Sequence, residues 1–294
     1  MTAGGLGRRL FLAIMGSATL QRPGKASFPR RKRCARTGAV QAPESLERKT
    51  MNEWTRLASA RDRNAPNLED PRNNSDAFEI RLLTAPDDIS QALRLRERAY
   101  ADQGHIPDRP GAEFRDRFDS LPTTAIFGAF DAGRMIASMR LCFAGDGLAA
   151  LPCAAYYPAL ADVYRSAPNG LLEVSRLAID PEIDNTSYRA TLYGFMVRSA
   201  FAAARATNVT AIVVATQQTW VAAYKHLLNF EQIGEPALYP PGDIPITLLI
   251  GRMTEASKRA QMRNRFFRIT DRDIVAMREQ LGPLWSSLGV AHPS

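Results

Sequence analysis

From Phe78 onward the apolar positions switch repeatedly between two spacings. Phe78 to Leu83 alternates weakly, as a first strand does. Pro86, Asp87 and Asp88 then mark a helix start, because proline fits the first turn and carboxylates favour its positive end. Ile89, Ala92, Leu93, Arg96 and Tyr100 share one face of that helix, and Gly104 ends it. Thr124–Phe130 and Met135–Leu141 flank Asp131-Ala132-Gly133, a hairpin signal. Gly145–Asn169 reads as irregular with some helix, Leu171–Ile179 as a strong strand, and Pro181–Ser187 as a loop. Tyr188, Leu192, Phe195, Met196, Ser199 and Ala203 space as a buried helix face. Thr210–Thr216 is a continuous apolar strand, Trp220–Leu228 a second buried helix and Ile246–Ile250 a last strand.

This order predicts one α/β sheet covered by helices, over residues 76–252. Residues 253–294 continue as a helical C-terminal extension. There Thr270 and Asp273 resemble a helix cap, and Gly282-Pro283 is expected to break the helix. Residues 1–75 read as a basic, disordered N-terminal extension.

Charge changes the picture once it is divided. Residues 1–50 hold 11 Lys/Arg and 2 Asp/Glu, whereas the other 244 residues hold 27 basic and 28 acidic groups. The excess belongs to the extension, so a nucleic-acid-binding body is not expected. Arg8-Arg9-Leu10-Phe11-Leu12 resembles a twin-arginine export signal, but its apolar stretch is short and holds Gly16, Ser17 and Thr19. No run approaches the roughly 18 apolar residues of a membrane span, and a cytoplasmic protein is expected. Cys34, Cys142 and Cys153 make no CxxC pair, and His105, His226 and His292 share no metal or triad spacing, so no metal site is expected.

The phrase Leu172-Glu173-Val174-Ser175-Arg176-Leu177-Ala178-Ile179-Asp180-Pro181 and the element order resemble the GNAT acyltransferase fold, a central mixed sheet flanked by helices. Trp220–Phe230 resembles the late GNAT helix that carries a tyrosine. A narrower resemblance is to acyl-homoserine lactone synthases and their relatives, the N-acyl amino acid synthases. It rests on Arg96 and Tyr100, then Asp116-Arg117-Phe118-Asp119, then Arg140, then Glu173-Val174-Ser175-Arg176, in order and at matching intervals. Three departures stand out. The Gly-rich pyrophosphate loop is replaced by Tyr188–Gly194, which favours acyl carrier protein over CoA as donor. His105-Ile106-Pro107 lies where lactone synthases carry a tryptophan. The Ala-, Leu- and Pro-rich segment between Arg140 and Glu173 suits an acyl-chain pocket.

The resemblance implies a set of roles. Aminolysis of a thioester needs a neutral amine, a stabilised oxyanion and a proton for the leaving thiolate. Glu173 is the base candidate, since a carboxylate inside an apolar strand is costly unless paired or functional. The structural alternative is a salt bridge to Arg140 or Arg176. Those two arginines can clamp an acceptor's carboxylate, or balance Asp116, Asp119 and Glu173 in an ion network. Arg96 is the implied partner of Asp116 and Asp119. Tyr100 and Ser175 join the substrate-binding set, and Tyr224 is the candidate donor to the thiolate. The basic run Lys258, Arg259, Arg263, Arg265 and Arg268 can steer an acidic carrier protein.

The expected protein is therefore an N-acyltransferase that moves a fatty acyl group from an acyl carrier protein, or CoA, to the amine of an amino acid. It needs no cofactor beyond that thioester co-substrate. An acyl-homoserine lactone synthase using S-adenosylmethionine is the alternative, and a non-catalytic GNAT-like binding module is the rival from another class.

Overall fold

A computed structural model describes residues 46–59, 78–144, 147–240, 244–263 and 267–288. The Arg8-Arg9 start and the Arg30-Arg31-Lys32-Arg33 cluster lie outside them.

The first described element corrects the expected extension. Residues assigned to the tail form helix α1 (Leu46–Ser59). Arg48, Lys49 and Arg56 stay in water, while Thr50 and Trp54, one turn apart, are buried. Trp54 meets Tyr193 edge-on at 5.2 Å and lies 6.0 Å from Trp220 and 6.1 Å from Phe267.

Strand β1 (Glu79–Leu82) leads into helix α2 (Pro86–Asp102). Pro86 sits in the first turn, and Asp88 also receives Arg81 at 2.8 Å. Gly104 takes a left-handed φ of 71°, which lets the His105 N–H reach back to the Tyr100 carbonyl at 2.9 Å and close the helix. Strands β2 (Thr124–Asp131) and β3 (Arg134–Ala144) form the expected hairpin. Its two turn residues, Ala132 and Gly133, both have positive φ, as a tight turn matched to strand twist requires.

Short 3₁₀ turns at Leu148–Ala150 and Pro152–Ala155 and helix α3 (Leu160–Arg165) precede β4 (Leu171–Ile179). Helix α4 (Thr186–Ala206) carries the chain to β5 (Ala211–Gln217), and helix α5 (Gln218–Leu228) follows at once. Strands β6 (Glu231–Tyr239) and β7 (Ile244–Arg252) complete the sheet. The spatial order is β1-β2-β3-β4-β5-β7-β6, with β4–β5 as the parallel neighbours and the other pairs antiparallel.

The apolar pattern alone marks no strand at β6, although the resemblance of Trp220–Phe230 to the late GNAT helix implies a strand start at Asn229-Phe230. Strand β6 is largely exposed, holds Gly234 and Pro236, and breaks register between Ile233 and Ala237. Edge strands tolerate such residues because one side of their backbone faces no partner.

Phe127, Met139 and Leu172 pack against α1, α4, α5 and the C-terminal helices. Ile126, Phe130 and Met135 pack under α2. Cys142, Leu171 and Val213 pack under the Leu148–Arg165 segment. The C-terminal elements are α6 (Met253–Arg263) and α7 (Asp271–Leu288). Thr270 and Asp273 cap α7 reciprocally, and Asp273 also receives Arg198 of α4 at 2.9 Å. The expected break at Gly282-Pro283 does not occur. Helix α7 runs through both, anchored by buried Met277 and Leu281.

Candidate active site

The central seam of the sheet opens halfway along. Strands β4 and β5 pair from Leu171↔Ala211 to Val174↔Val214 and no further, although β5 continues against β7 to Gln217↔Ile246. A bulge explains the parting. Ser138 pairs with Ala178 and Arg140 with Ser175, so Met139 alone faces both Arg176 and Leu177. The extra residue bends β4 away from β5. Arg176 takes the strain, with a φ of 54° that a non-glycine residue rarely adopts.

A cavity of about 210 Å³ fills the opened seam. Val197, Phe201, Ile212 and Val214 make part of it apolar, and Tyr100, His105, Arg176, Gln217, Tyr224 and Tyr239 supply its polar groups. Among the described residues lining it there is no carboxylate.

Beside the cavity lies an ionic chain. Residues Arg117–Ser120 form a single 3₁₀ turn capped by Asp116, whose carboxylate accepts the Phe118 N–H while Asp119 accepts the Asp116 N–H. This turn faces Arg96 and Arg140, both fully buried. Arg96 Nη1 donates to Asp119 at 2.9 Å. Arg140 Nη1 donates to Asp116 at 2.6 Å and to Asp119 at 3.0 Å, and its Nε donates to Ser175 Oγ at 3.2 Å. Arg176 Nη2 reaches the other Asp116 oxygen at 2.9 Å. Burial alone would push the Asp116 carboxyl up, but the guanidiniums of Arg140 and Arg176 pull it down to about 2.

Tyr100, Ser175, Arg176 and Tyr224 line the cavity. Arg96, Asp116, Asp119, Arg140 and Glu173 do not. The two-arginine clamp is thus corrected to one arginine. Arg140 spends Nη1 and Nε on the two aspartates and Ser175, with its buried Nη2 unpartnered, and it holds the aspartate that aims Arg176. Arg176 lies 4.9 Å from the Phe114 ring centre and 5.8 Å from that of Tyr100.

Glu173 needs the larger correction. It pairs across from Cys142 and is fully buried, with Oε2 accepting the Cys153 N–H at 3.0 Å. Among the described residues no ion pair joins it to Arg140 or Arg176. Burial raises its carboxyl above the ordinary range, and its Oε1 is unpartnered. The apolar surroundings that drew attention to this glutamate are the packing under the Leu148–Arg165 segment, not the cavity wall.

The Tyr224 hydroxyl lies 2.6 Å from that of Tyr193, and burial pushes it up to about 12. Burial likewise pushes the Cys142 thiol up to about 12 and raises Cys153, so neither is a nucleophile at neutral pH. Residues 188–194, the nearest match to a pyrophosphate loop, lie inside α4. The first-turn N–H of Tyr188 is taken by the Asn185 side chain, and Arg189 donates inward to the Asp180 and Ile183 carbonyls. Lys258 and Arg268 line a second cleft with Thr210 and Arg252, at the end of β5 remote from Gln217. Arg265 lies outside the described residues.

Sequence reasoning missed His105 and Gln217. His105 Nε2 and Gln217 Nε2 are 2.9 Å apart across the seam. The one available signal was Gly104, which turns the residue after it back toward Tyr100.

The family model described as N-acyl amino acid synthase FeeM matches residues 91–251. Among solved structures, the chain is similar to FeeM, an N-acyl amino acid synthase from uncultured soil microbes. Identity is 22% and the TM-score 0.51, over 63% of this chain and 95% of that one. It is also similar to BjaI, a CoA-dependent acyl-homoserine lactone synthase solved with SAM and isopentyl-CoA, at 16% identity and a TM-score of 0.44, over 70% and 90%. For the lactone synthase LasI the values are 12% and 0.45, over 62% and 93%. No curated protein matches the chain. The likeness to FeeM shows the fold, and the expected mixed sheet of GNAT type is the one observed.

Proposed function

The chain belongs to the N-acyl amino acid synthase FeeM family, and from that footing we propose that it transfers an acyl group from a thioester to the amine of an amino acid. The observation that supports an amino-acid acceptor is Arg176. It is a fixed cation on the wall of a cavity whose described lining holds no carboxylate. Asp116 occupies its Nε and Nη2 edge and leaves Nη1 for a carboxylate oxygen. The acyl chain lies along the apolar wall at Phe201, Ile212 and Val214, so the thioester sits in the opened seam between the two ends.

Tyr224 meets the developing thiolate. A phenol near 12 holds its proton at neutral pH and can donate a hydrogen bond. Full transfer to a thiolate of pKa about 8.5 is uphill, so Tyr224 stabilises the charge and another group supplies the proton. A carrier-protein donor is favoured over CoA, because the first turn of α4 has its Tyr188 N–H capped by Asn185.

The test is product mass. Purified protein is incubated with acyl carrier protein thioesters, acyl-CoA thioesters, mixed amino acids and S-adenosylmethionine. N-acyl amino acids are expected, without consumption of S-adenosylmethionine. An acyl-homoserine lactone would replace this reading with the alternative, and no acylated amine from any donor would overturn it.

A further inference from the structure

We propose that His105, held across the seam by Gln217, carries the proton from the attacking amine to the departing sulfur. The proposal rests on the acyl-transfer reading above. Two observations lead to it. Glu173 is held out of the cavity by the Cys153 N–H. Of the described cavity-lining groups, His105 is the one whose ordinary titration range falls near neutrality.

Tyr100 of the preceding helix, its ring 6.1 Å away, and Gln217 of β5, at 2.9 Å, lie against His105. Arg176 of β4, Arg189 of α4, Tyr224 of α5 and Tyr239 of β6 line the same cavity. Arg176 and Arg189 are cations, and both are partnered, by Asp116 and by backbone carbonyls. Burial raises both Tyr224 and Tyr239, so both phenols stay neutral.

Gln217 suits a group that changes charge. In the observed contact its amide NH₂ covers the Nε2 lone pair of a ring protonated at Nδ1. A half-turn of the amide lets its oxygen accept from Nε2–H instead and leaves the ring's lone pair on Nδ1, the atom that takes up the amine's proton. The step balances as follows. The lone pair of the neutral amine forms the C–N bond at the thioester carbonyl. His105 accepts the proton that nitrogen sheds, the C–S bond breaks with its electron pair on sulfur, and the imidazolium returns the proton to sulfur, directly or through Tyr224. An imidazolium is ordinarily a stronger acid than a thiol, so this transfer runs downhill. The products are the amide, the free thiol and neutral His105.

The experiment follows kcat and KM against pH in the full-length protein, by thiol release and product mass, with the donor and amino acid identified by the screen above. For the native chain kcat rises through an inflection in the imidazole range. His105→Gln should lower kcat by about 10² to 10⁴-fold, leave the acceptor KM within a few-fold and abolish the inflection. Added imidazole should partly restore His105→Gly. Gln217→Glu, which keeps the contact and adds an anion, should move the inflection upward. An unchanged inflection in His105→Gln, or an unmoved one in Gln217→Glu, overturns the proposal. So does loss of the inflection in Glu173→Gln alone. Absence of any acylated amine with the native chain overturns the acyl-transfer reading itself, and is told apart because no variant is needed to see it.

Discussion

Arg140 donates to one oxygen of Asp116 at 2.6 Å, and that bond leaves the other oxygen to aim Arg176. A buried arginine thus acts on the cavity at one remove. Asp116→Asn should keep the fold but loosen Arg176. The acceptor KM is expected to rise about ten- to a hundred-fold, the scale of one charge-assisted contact, with a smaller change in kcat. Steady-state kinetics with the identified amino acid would check it.

Asp119 serves two fully buried guanidiniums, those of Arg96 and Arg140. Asp119→Ala strands Arg96 without a counter-charge and leaves Arg140 with Asp116 alone. A loss of about 3–5 kcal/mol is expected, measured by urea unfolding.

Asp116, partly exposed, and Glu173, fully buried, give opposite pH dependences. Asp116 sits near 2 when folded against an ordinary 3.8. Its stabilisation is therefore complete above the ordinary value and is lost as pH falls through the window between the two. About 1–2 kcal/mol is expected after allowance for its partial exposure. Glu173 is raised, so its stabilisation is present below an ordinary 4.5 and is lost as pH rises through the folded value. Melting curves of Glu173→Gln should accordingly match the native chain at acidic pH and exceed it at higher pH.

Tyr224→Phe removes the hydroxyl that meets Tyr193 and leaves the ring in place. A fall in kcat of about 10- to 100-fold is expected, with the melting temperature within a few degrees. An unchanged kcat would assign the tyrosine to packing.

Much of the frame was legible because it rests on local chemistry. The Asp131-Ala132-Gly133 turn and the Thr270–Asp273 cap follow from residue type and spacing, and the Arg96–Asp119 pair from the family resemblance. The failures have physical causes too. Strand β6 is polar because it lies at an edge, and α1, although amphipathic, lies in a stretch whose charge dominates the pattern; among its described side chains it buries Thr50 and Trp54. The bulge at Arg176 breaks the strict alternation along β4, so a count of every second residue misassigns which side chains meet. His105 stood alone in the sequence, and only the fold brings Gln217 to it from 112 positions away.

Helix α1 lies outside residues 91–251, the part matched by the family model, yet its Thr50 helps line the cavity and its Trp54 backs Tyr193. The far end of the chamber is therefore built by sequence that the shared sheet does not constrain. Exchange of this one amphipathic turn is expected to reshape the cavity while leaving His105, Arg176 and Tyr224 in place. Equally, a shortened protein that begins at the first strand would fold with its chamber unroofed.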